Sequence, residues 1–293
     1  MQIKDIKQIG VVGSGAMGSQ IAMVCALGGY SVILHDVSEE SLTKAKESLR
    51  GHMNKKISKG RLIEEEVNNA FGRLIFSSSL EELNHTDLVI EAIVERLDAK
   101  RELFAKLDKI VPEHAILATN SSTIVSSKIA DVTSRPEKVC NVHFFNPALV
   151  MELVEVVRGP HTSKETAQLA VEFVRNIGKT PVLLKKEISG FIANRILGKL
   201  MDEAVYLLEN GYADHEEIDL VCTKALNHPI GPFSLMDLTG IDVNYFVRMQ
   251  RYQESGNEAD KPAQIVQDKV HKGELGRKTG KGFYTYNQAK VQA

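Results

Sequence analysis

The chain carries no excess of charge of either sign: Lys plus Arg number 36 against 38 for Asp plus Glu, a formal net charge of -2. Nothing global therefore draws it to nucleic acid or to a membrane surface, and any anionic ligand must be held by a local cluster. Cysteine is scarce as well. Cys25, Cys140 and Cys222 are odd in number, scattered and without C-x-x-C spacing. That argues against a disulfide framework and against a metal site, and points to a reducing, cytoplasmic setting. No apolar stretch approaches the roughly 20 residues of a membrane-spanning helix, and the N-terminus lacks the apolar core of a signal peptide. Internal repeats and low-complexity linkers are missing too. What remains is an ordinary globular composition, 43% hydrophobic and 25% charged over 293 residues, enough for two domains with a sizeable core.

The most informative stretch runs from Gln8 to Asp36. Ile9 to Val12 reads as a buried strand, after which Gly13, Gly15 and Gly18 supply G-x-G-x-x-G spacing as a helix opens. Gly13 permits a tight turn, Gly15 lets the backbone approach a pyrophosphate, and Gly18 lets the helix pack on the sheet. The helix N-terminus then offers free N–H groups to the anion. Asp36 ends the second strand, 18 residues past Gly18, where a carboxylate can accept hydrogen bonds from adenosine ribose hydroxyls. The same charge disfavours a 2′-phosphate, so the spacing points to NAD rather than NADP. Met17 and Met23 read as helix packing, although Met17, inside the fingerprint, is also a candidate cofactor-binding position.

Strands alternating with helices continue to about Lys186, which predicts an α/β fold, a Rossmann-type doubly wound and mainly parallel sheet. Residues 39–70 are too long for one crossover and read as a pair of helices projecting from the sheet, turning near Ser58-Lys59-Gly60. Asn120-Ser121-Ser122-Thr123 reads as a loop capping a helix that begins near Ile124. Beyond Lys186 the strand signal stops. An amphipathic helix over Phe191–Asn210, with Ile192, Ile196, Leu197, Leu200, Ala204 and Leu208 at helical spacing, opens an all-helical region. Shorter helical stretches follow near 214–226, 232–239 and 241–252, and a basic tail, Gly276 to Tyr284, comes last. Residues 1–186 are thus expected to form a nucleotide-binding domain with a projecting helical arm. Residues 187–293 should form a helical substrate and dimerisation domain whose apolar faces are buried against a second copy.

His143 stands at the C-terminal end of a sheet strand, where open α/β sheets place their ligands. Glu155 lies 12 residues on, inside the apolar run Leu153 to Val157, and a carboxylate on a buried strand needs a partner. If the two strands are neighbours, the carboxylate can fix the imidazole tautomer and leave the other nitrogen to exchange a substrate proton. A buried pair that merely satisfies itself is the plainer account. Ser122, in a loop at the ligand edge, and Asn194, early in the long helix, could orient a carbinol oxygen and a nearby carbonyl. Taken singly, each better suits a cap or surface residue. Lys55-Lys56 and Lys59-Gly60-Arg61 form the best local cationic cluster. Glu95 and Lys100 flank a turn at the ligand edge.

Taken in order, these motifs resemble the L-3-hydroxyacyl-CoA dehydrogenase family, especially its stand-alone bacterial short-chain members. The resemblance spans residues 8–286. It rests on Gly13-Ser14-Gly15-Ala16-Met17-Gly18, Ile90 to Glu95, Asn120-Ser121-Ser122, His143-Phe144-Phe145-Asn146-Pro147 and Leu153 to Val157. Gly190 to Arg195, His228 to Pro232 and Lys281 to Tyr284 follow in the same order. It implies NAD as cofactor, an acyl-CoA substrate, a homodimer, and a place in fatty-acid or butanoate metabolism. It further implies that His143 is the catalytic base, oriented by Glu155, and that Ser122 and Asn194 contact the substrate. Asp36, Glu95, Lys100 and Asn146 would contact NAD, and Lys55 and Lys56 would hold CoA phosphate. Two departures stand beside the site: Leu149 and Ser189 replace prolines common in relatives, which bears on acyl-chain preference.

Two other readings compete. One is a dehydrogenase of a small hydroxy acid without CoA, of the gulonate or carnitine type; the lysines on the arm and Phe144-Phe145 favour acyl-CoA over it. The other is a non-catalytic NAD-binding protein, like the lens crystallins of this family. Intact His143, Glu155, Ser122 and Asn194 argue against that.

Overall fold

The computed structural model describes residues 2–286, which form two compact units that meet in sequence between Ile192 and Ala193. In the first unit the elements are β1 (Gln8–Val12), α1 (Ala16–Leu27), β2 (Ser31–His35), α2 (Glu39–Ser58), α3 (Glu64–Gly72) and β3 (Leu74–Ser77). They continue with β4 (Leu88–Glu91), α4 (Leu97–Ile110), β5 (Ile116–Thr119), β6 (Val139–Phe144), β7 (Leu153–Val157), α5 (Lys164–Asn176) and β8 (Thr180–Leu184). The strands lie in the order β3-β2-β1-β4-β5-β6-β7-β8. β1 to β6 are parallel, β7 runs antiparallel to β6, and β8 pairs parallel with β7.

Both faces of this sheet are covered, which is why its strands read as unbroken apolar runs. Successive residues point to opposite faces. Ile9 and Val11, Leu88 and Ile90, and Ile116 and Ala118 enter a core shared with α1, α2, α3 and α5. Val12, Val89 and Leu117 enter a second core with Phe104 and Leu107 of α4. Pro181 is accommodated in β8 because an edge strand needs donors on one side only.

Two local expectations need correction. Residues 39–72 do form two helices turning at Gly60 (φ 64°), but they do not stand clear of the sheet. The stripe Leu42, Ala45, Leu49 and Met53 of α2, with Val67 and Ala70 of α3, is buried in the same core as α1. Nor does a helix begin at Ile124. Short 3-10 turns cover Ser126–Lys128 and Ala130–Val132 instead. The backbone groups a helix would use are taken by the buried Asn141 side chain, which accepts from the Ser126 N–H (2.8 Å) and donates to the Ile124 carbonyl (3.0 Å).

The second unit is helical: α6 (Ala193–Glu209), α7 (His215–Lys224), α8 (Pro232–Thr239), α9 (Ile241–Ser255) and α10 (Gln264–His271). Its core gathers Met201, Ala204, Val205, Ile218, Phe233, Met236, Ile241, Val266 and Phe283. α6 starts two residues later than its apolar pattern suggests, because Gly190 and Phe191 both adopt positive φ (75° and 45°). Ile196 leaves the apolar stripe and is exposed. α10 was not foreseen, and the basic tail is not loose. The buried Asp237 carboxylate accepts from the Phe283 and Tyr284 N–H groups (both 2.9 Å) and from the Tyr286 hydroxyl (2.9 Å). The buried Asp219 does the same for the start of α8, taking the Phe233 N–H (2.8 Å) and Ser234 N–H (2.9 Å), and it also accepts from the Tyr284 hydroxyl (3.0 Å). Among the described residues, no helix is long and apolar enough to cross a membrane.

Candidate active site

Strand register sets the site. Val12 pairs with His35 on one side and Glu91 on the other, Glu91 pairs with Thr119, and Thr119 with Asn141. The residues that follow these positions (Gly13, Asp36, Ala92 and Asn120) therefore share one edge, at the carboxyl ends of parallel strands. The order reverses between β2-β1 and β4-β5, which makes this edge the ligand crevice of a doubly wound sheet.

The first turn fits an adenosine dinucleotide. Gly13 has φ 102°, and a Cβ there would lie 2.6 Å from the Ala92 carbonyl oxygen. A Cβ on Gly18 would lie 1.8 Å from the Gly13 carbonyl oxygen, so both positions exclude a side chain. At Gly15 a Cβ would meet no protein atom within 4 Å, so the space beside it is open. α1 begins at the next residue with no side-chain cap, leaving its first N–H groups for an anion. Asp36 follows β2, its Oδ2 accepting from the Ser14 N–H and hydroxyl (both 2.8 Å) and its Oδ1 from the Ser38 N–H (3.0 Å). Burial opposes ionisation here, but these hydrogen bonds outweigh it and hold the carboxyl below its usual range. Met17 is half-buried and packs on the core.

At the ends of β4 and β5 lies a charged network. Lys100, expected to contact NAD, is buried at 1% exposure, its ammonium 2.5 Å from Glu91 and 3.2 Å from Glu95. Its placement is that of a brace for Glu95. Glu91, fully buried, also accepts from the Ile93 N–H (2.7 Å) and the Thr119 hydroxyl (2.6 Å). Glu95 accepts from the Ser121 and Thr123 hydroxyls on either side of Ser122. Burial would raise the Glu95 carboxyl, but the Lys100 charge and the two hydroxyls outweigh it and hold it low. Glu91 gives the same sequence signal as Glu155, a carboxylate in an apolar strand.

β6 and β7 are antiparallel neighbours in which His143 pairs directly with Glu155. His143 Nδ1 lies 2.9 Å from Glu155 Oε2, both side chains are buried, and Glu155 Oε1 accepts from the Ile192 N–H (3.0 Å). A carboxylate on Nδ1 places the proton there and leaves Nε2 for exchange. The imidazole also meets the Phe145 ring (centroids 4.6 Å apart) and the Phe191 ring (5.4 Å). The loop after β5 is tied to this strand, since Asn120 Oδ1 accepts from the Phe144 N–H (2.8 Å). Asn146 is exposed just beyond the strand. Asn194 is half-buried in the first turn of α6, in the other unit.

The two lysines on α2 differ. Lys56 donates to the Leu149 carbonyl (3.0 Å), while Lys179 donates to the Ala148 and Met151 carbonyls (2.8 and 2.7 Å), so both clamp the loop after Pro147. Lys56 is half-buried and Lys55 exposed. His52, Lys55, Lys56, Lys59 and Arg61 line a pocket with Leu149 and Val150. The Leu149 side chain itself is buried in the main core.

Fold, glycine turn and carboxylate together define an NAD-dependent dehydrogenase. The sequence matches the 3-hydroxyacyl-CoA dehydrogenase NAD binding domain over residues 8–188 and the 3-hydroxyacyl-CoA dehydrogenase C-terminal domain over residues 190–286. The chain belongs to the 3-hydroxyacyl-CoA dehydrogenase family. It is 37% identical over 285 residues to the 3-hydroxybutyryl-CoA dehydrogenase of Bradyrhizobium diazoefficiens, covering 97% of each chain. It is 40% identical over 288 residues to the mitochondrial hydroxyacyl-coenzyme A dehydrogenase of Mus musculus, covering 96% of this chain and 91% of that one. Among solved structures, the (S)-3-hydroxybutyryl-CoA dehydrogenase from Ralstonia eutropha superimposes with a TM-score of 0.91 at 38% identity, over 97% of this chain and all (100%) of that one.

Proposed function

We propose that the protein interconverts L-3-hydroxyacyl-CoA and 3-ketoacyl-CoA, with 3-hydroxybutyryl-CoA as the favoured short-chain substrate. The observation that carries this reading is the 2.9 Å contact between His143 Nδ1 and Glu155 Oε2, set at the ligand edge of a sheet whose first turn fits a dinucleotide. The names of the relatives support the choice of substrate.

Bound NAD supplies the hydride acceptor. His143 Nε2 takes the proton of the C3 hydroxyl as that carbon is oxidised, and returns it to the forming alkoxide in reverse. Glu155 keeps Nδ1 protonated and stabilises the imidazolium. Ser122 holds the substrate oxygen in line, and orientation of this kind supplies much of the rate. Asp36 receives the adenosine ribose, while Glu95 and Asn146 contact the cofactor, Glu95 braced by Lys100. Lys55 and Lys56, with Lys59 and Arg61, attract the CoA phosphates.

The test is NADH consumption with acetoacetyl-CoA, with longer 3-ketoacyl-CoAs and with free acetoacetate. Turnover of the thioesters alone is expected, fastest with acetoacetyl-CoA; equal turnover of free acetoacetate would overturn the CoA assignment. We also infer a homodimer through the second unit, whose exposed Ile196, Tyr206, Leu220, Val221 and Phe246 leave apolar surface for a second copy. A monomer in sedimentation would overturn it. A reducing compartment, the cytoplasm, fits three free cysteines.

A further inference from the structure

Phe191 is a buried aromatic residue with φ 45°. The other non-glycine residue with positive φ among those described is Asn227, a type that tolerates the left-handed region through its short polar side chain. A bulky residue in that region is strained, and persists only where its surroundings over-determine it. Two features do so here. The ring is enclosed by Val125, Val157 and Leu184 and lies against the His143 imidazole. The turn made at Gly190 and Phe191 aims the next N–H, that of Ile192, at Glu155 Oε1.

We propose that Phe191 is a positioning residue for the reaction: its left-handed backbone and buried ring together hold the His143–Glu155 pair in working geometry. This rests on the acid–base reading of that pair. The two Glu155 oxygens divide the task. With Oε1 held by the Ile192 N–H, the carboxylate cannot rotate, and Oε2 stays on His143 Nδ1. With Phe191 on one side and Phe145 in T-shaped contact, the imidazole cannot tilt, and Nε2 keeps one direction. Loss of such alignment, by about 1 Å, costs on the order of 100-fold in rate.

The experiment compares Phe191→Met and Phe191→Leu with the unmodified enzyme, using acetoacetyl-CoA and NADH. Methionine conserves volume and lies against the ring in an unbranched, adaptable way. We expect kcat to fall about 10–100-fold, while NADH affinity, read from cofactor fluorescence, stays within about 2-fold and thermal stability stays near wild type. The isotope effect with NADH deuterated at C4 should rise as the chemical step becomes limiting. In a Glu155→Gln background, Phe191→Met should cost no more than about 2-fold further, because both changes disable one unit. Normal kcat in both variants overturns the proposal. So does a parallel loss of kcat, NADH affinity and stability, or failure of both variants to fold, since either assigns Phe191 a purely structural role. His143→Gln separates the two readings: if it retains full turnover, the acid–base assignment itself has failed.

Discussion

Replacing Lys100 by methionine keeps the aliphatic stem and removes a buried ammonium that sits between two carboxylates. Glu91 and Lys100 are 0% and 1% exposed and 2.5 Å apart. Breaking such a pair from one side costs about 3–5 kcal/mol, because the remaining charge is left without compensation. Glu91 keeps the Ile93 N–H and the Thr119 hydroxyl, so the lower end applies. The second contact adds little: Glu95 is 40% exposed, and screened pairs contribute about 0–1 kcal/mol. A loss of about 3 kcal/mol lowers the melting temperature of a unit this size by roughly 6–12 °C.

The loss also depends on pH with a definite sign. Glu95 is held below its usual 4.5 partly by Lys100. The stabilisation from that shift is full above the unfolded value and disappears as pH falls through the folded one. Lys100→Met forfeits the part that Lys100 supplies, so the gap between variant and wild type should narrow below about pH 4.5. Circular dichroism melts across pH 4 to 8 would measure both effects (the range is about that of ordinary buffers). The double variant Glu91→Gln/Lys100→Met should regain part of the loss, because the stranded charge is gone. A single variant melting within about 2 °C of wild type at neutral pH would refute the reasoning, showing that the pair's desolvation cost cancels its attraction.

Three further outcomes follow from the site and the fold. His143→Gln should cost about 10²–10⁴-fold in kcat with NADH affinity nearly unchanged; near-normal turnover would remove His143 as the proton carrier. Asp36→Ala should weaken NAD about 10-fold and relax discrimination against NADP, since a carboxylate no longer faces the 2′-phosphate; an unchanged ratio of kcat/KM for the two cofactors would show that Asp36 does not face the ribose. Asp237→Ala leaves the Phe283 and Tyr284 N–H groups unpaired, at about 1–3 kcal/mol each. Hydrogen exchange at those two amides should accelerate, and unaltered protection would show that the tail does not depend on the carboxylate.

Much of this was legible in the chain because it is local. The glycine spacing, the buried run Ile9 to Val12 and the acid at Asp36 lie within one β-α-β unit, and sequence distance there translates into space. A 12-residue separation between His143 and Glu155 likewise suits two adjacent strands joined by a loop. The Asn120–Ile124 stretch misled because its capping pattern is real, Ser121 Oγ accepting from the Ile124 N–H at 2.8 Å. The competing partner, Asn141, is 17 residues away from Ile124 and invisible to a local reading. The place of Lys100 near the ligand edge shows in the chain, but the burial of its ammonium against Glu91 does not. The tail lies outside any periodic signal, since it is shaped by one carboxylate, Asp237, 46 and 47 residues distant.

By itself, the order of residues determined the sheet, the dinucleotide turn and which side chains carry polar chemistry, because burial and backbone conformation are set by neighbours a few positions apart. Tertiary structure alone decided how those side chains are held. It enclosed Lys100 between two acids, turned Lys56 onto a carbonyl, and forced Phe191 into a left-handed turn against the imidazole. Such choices depend on which distant group reaches a buried charge or ring first, and no local pattern encodes that.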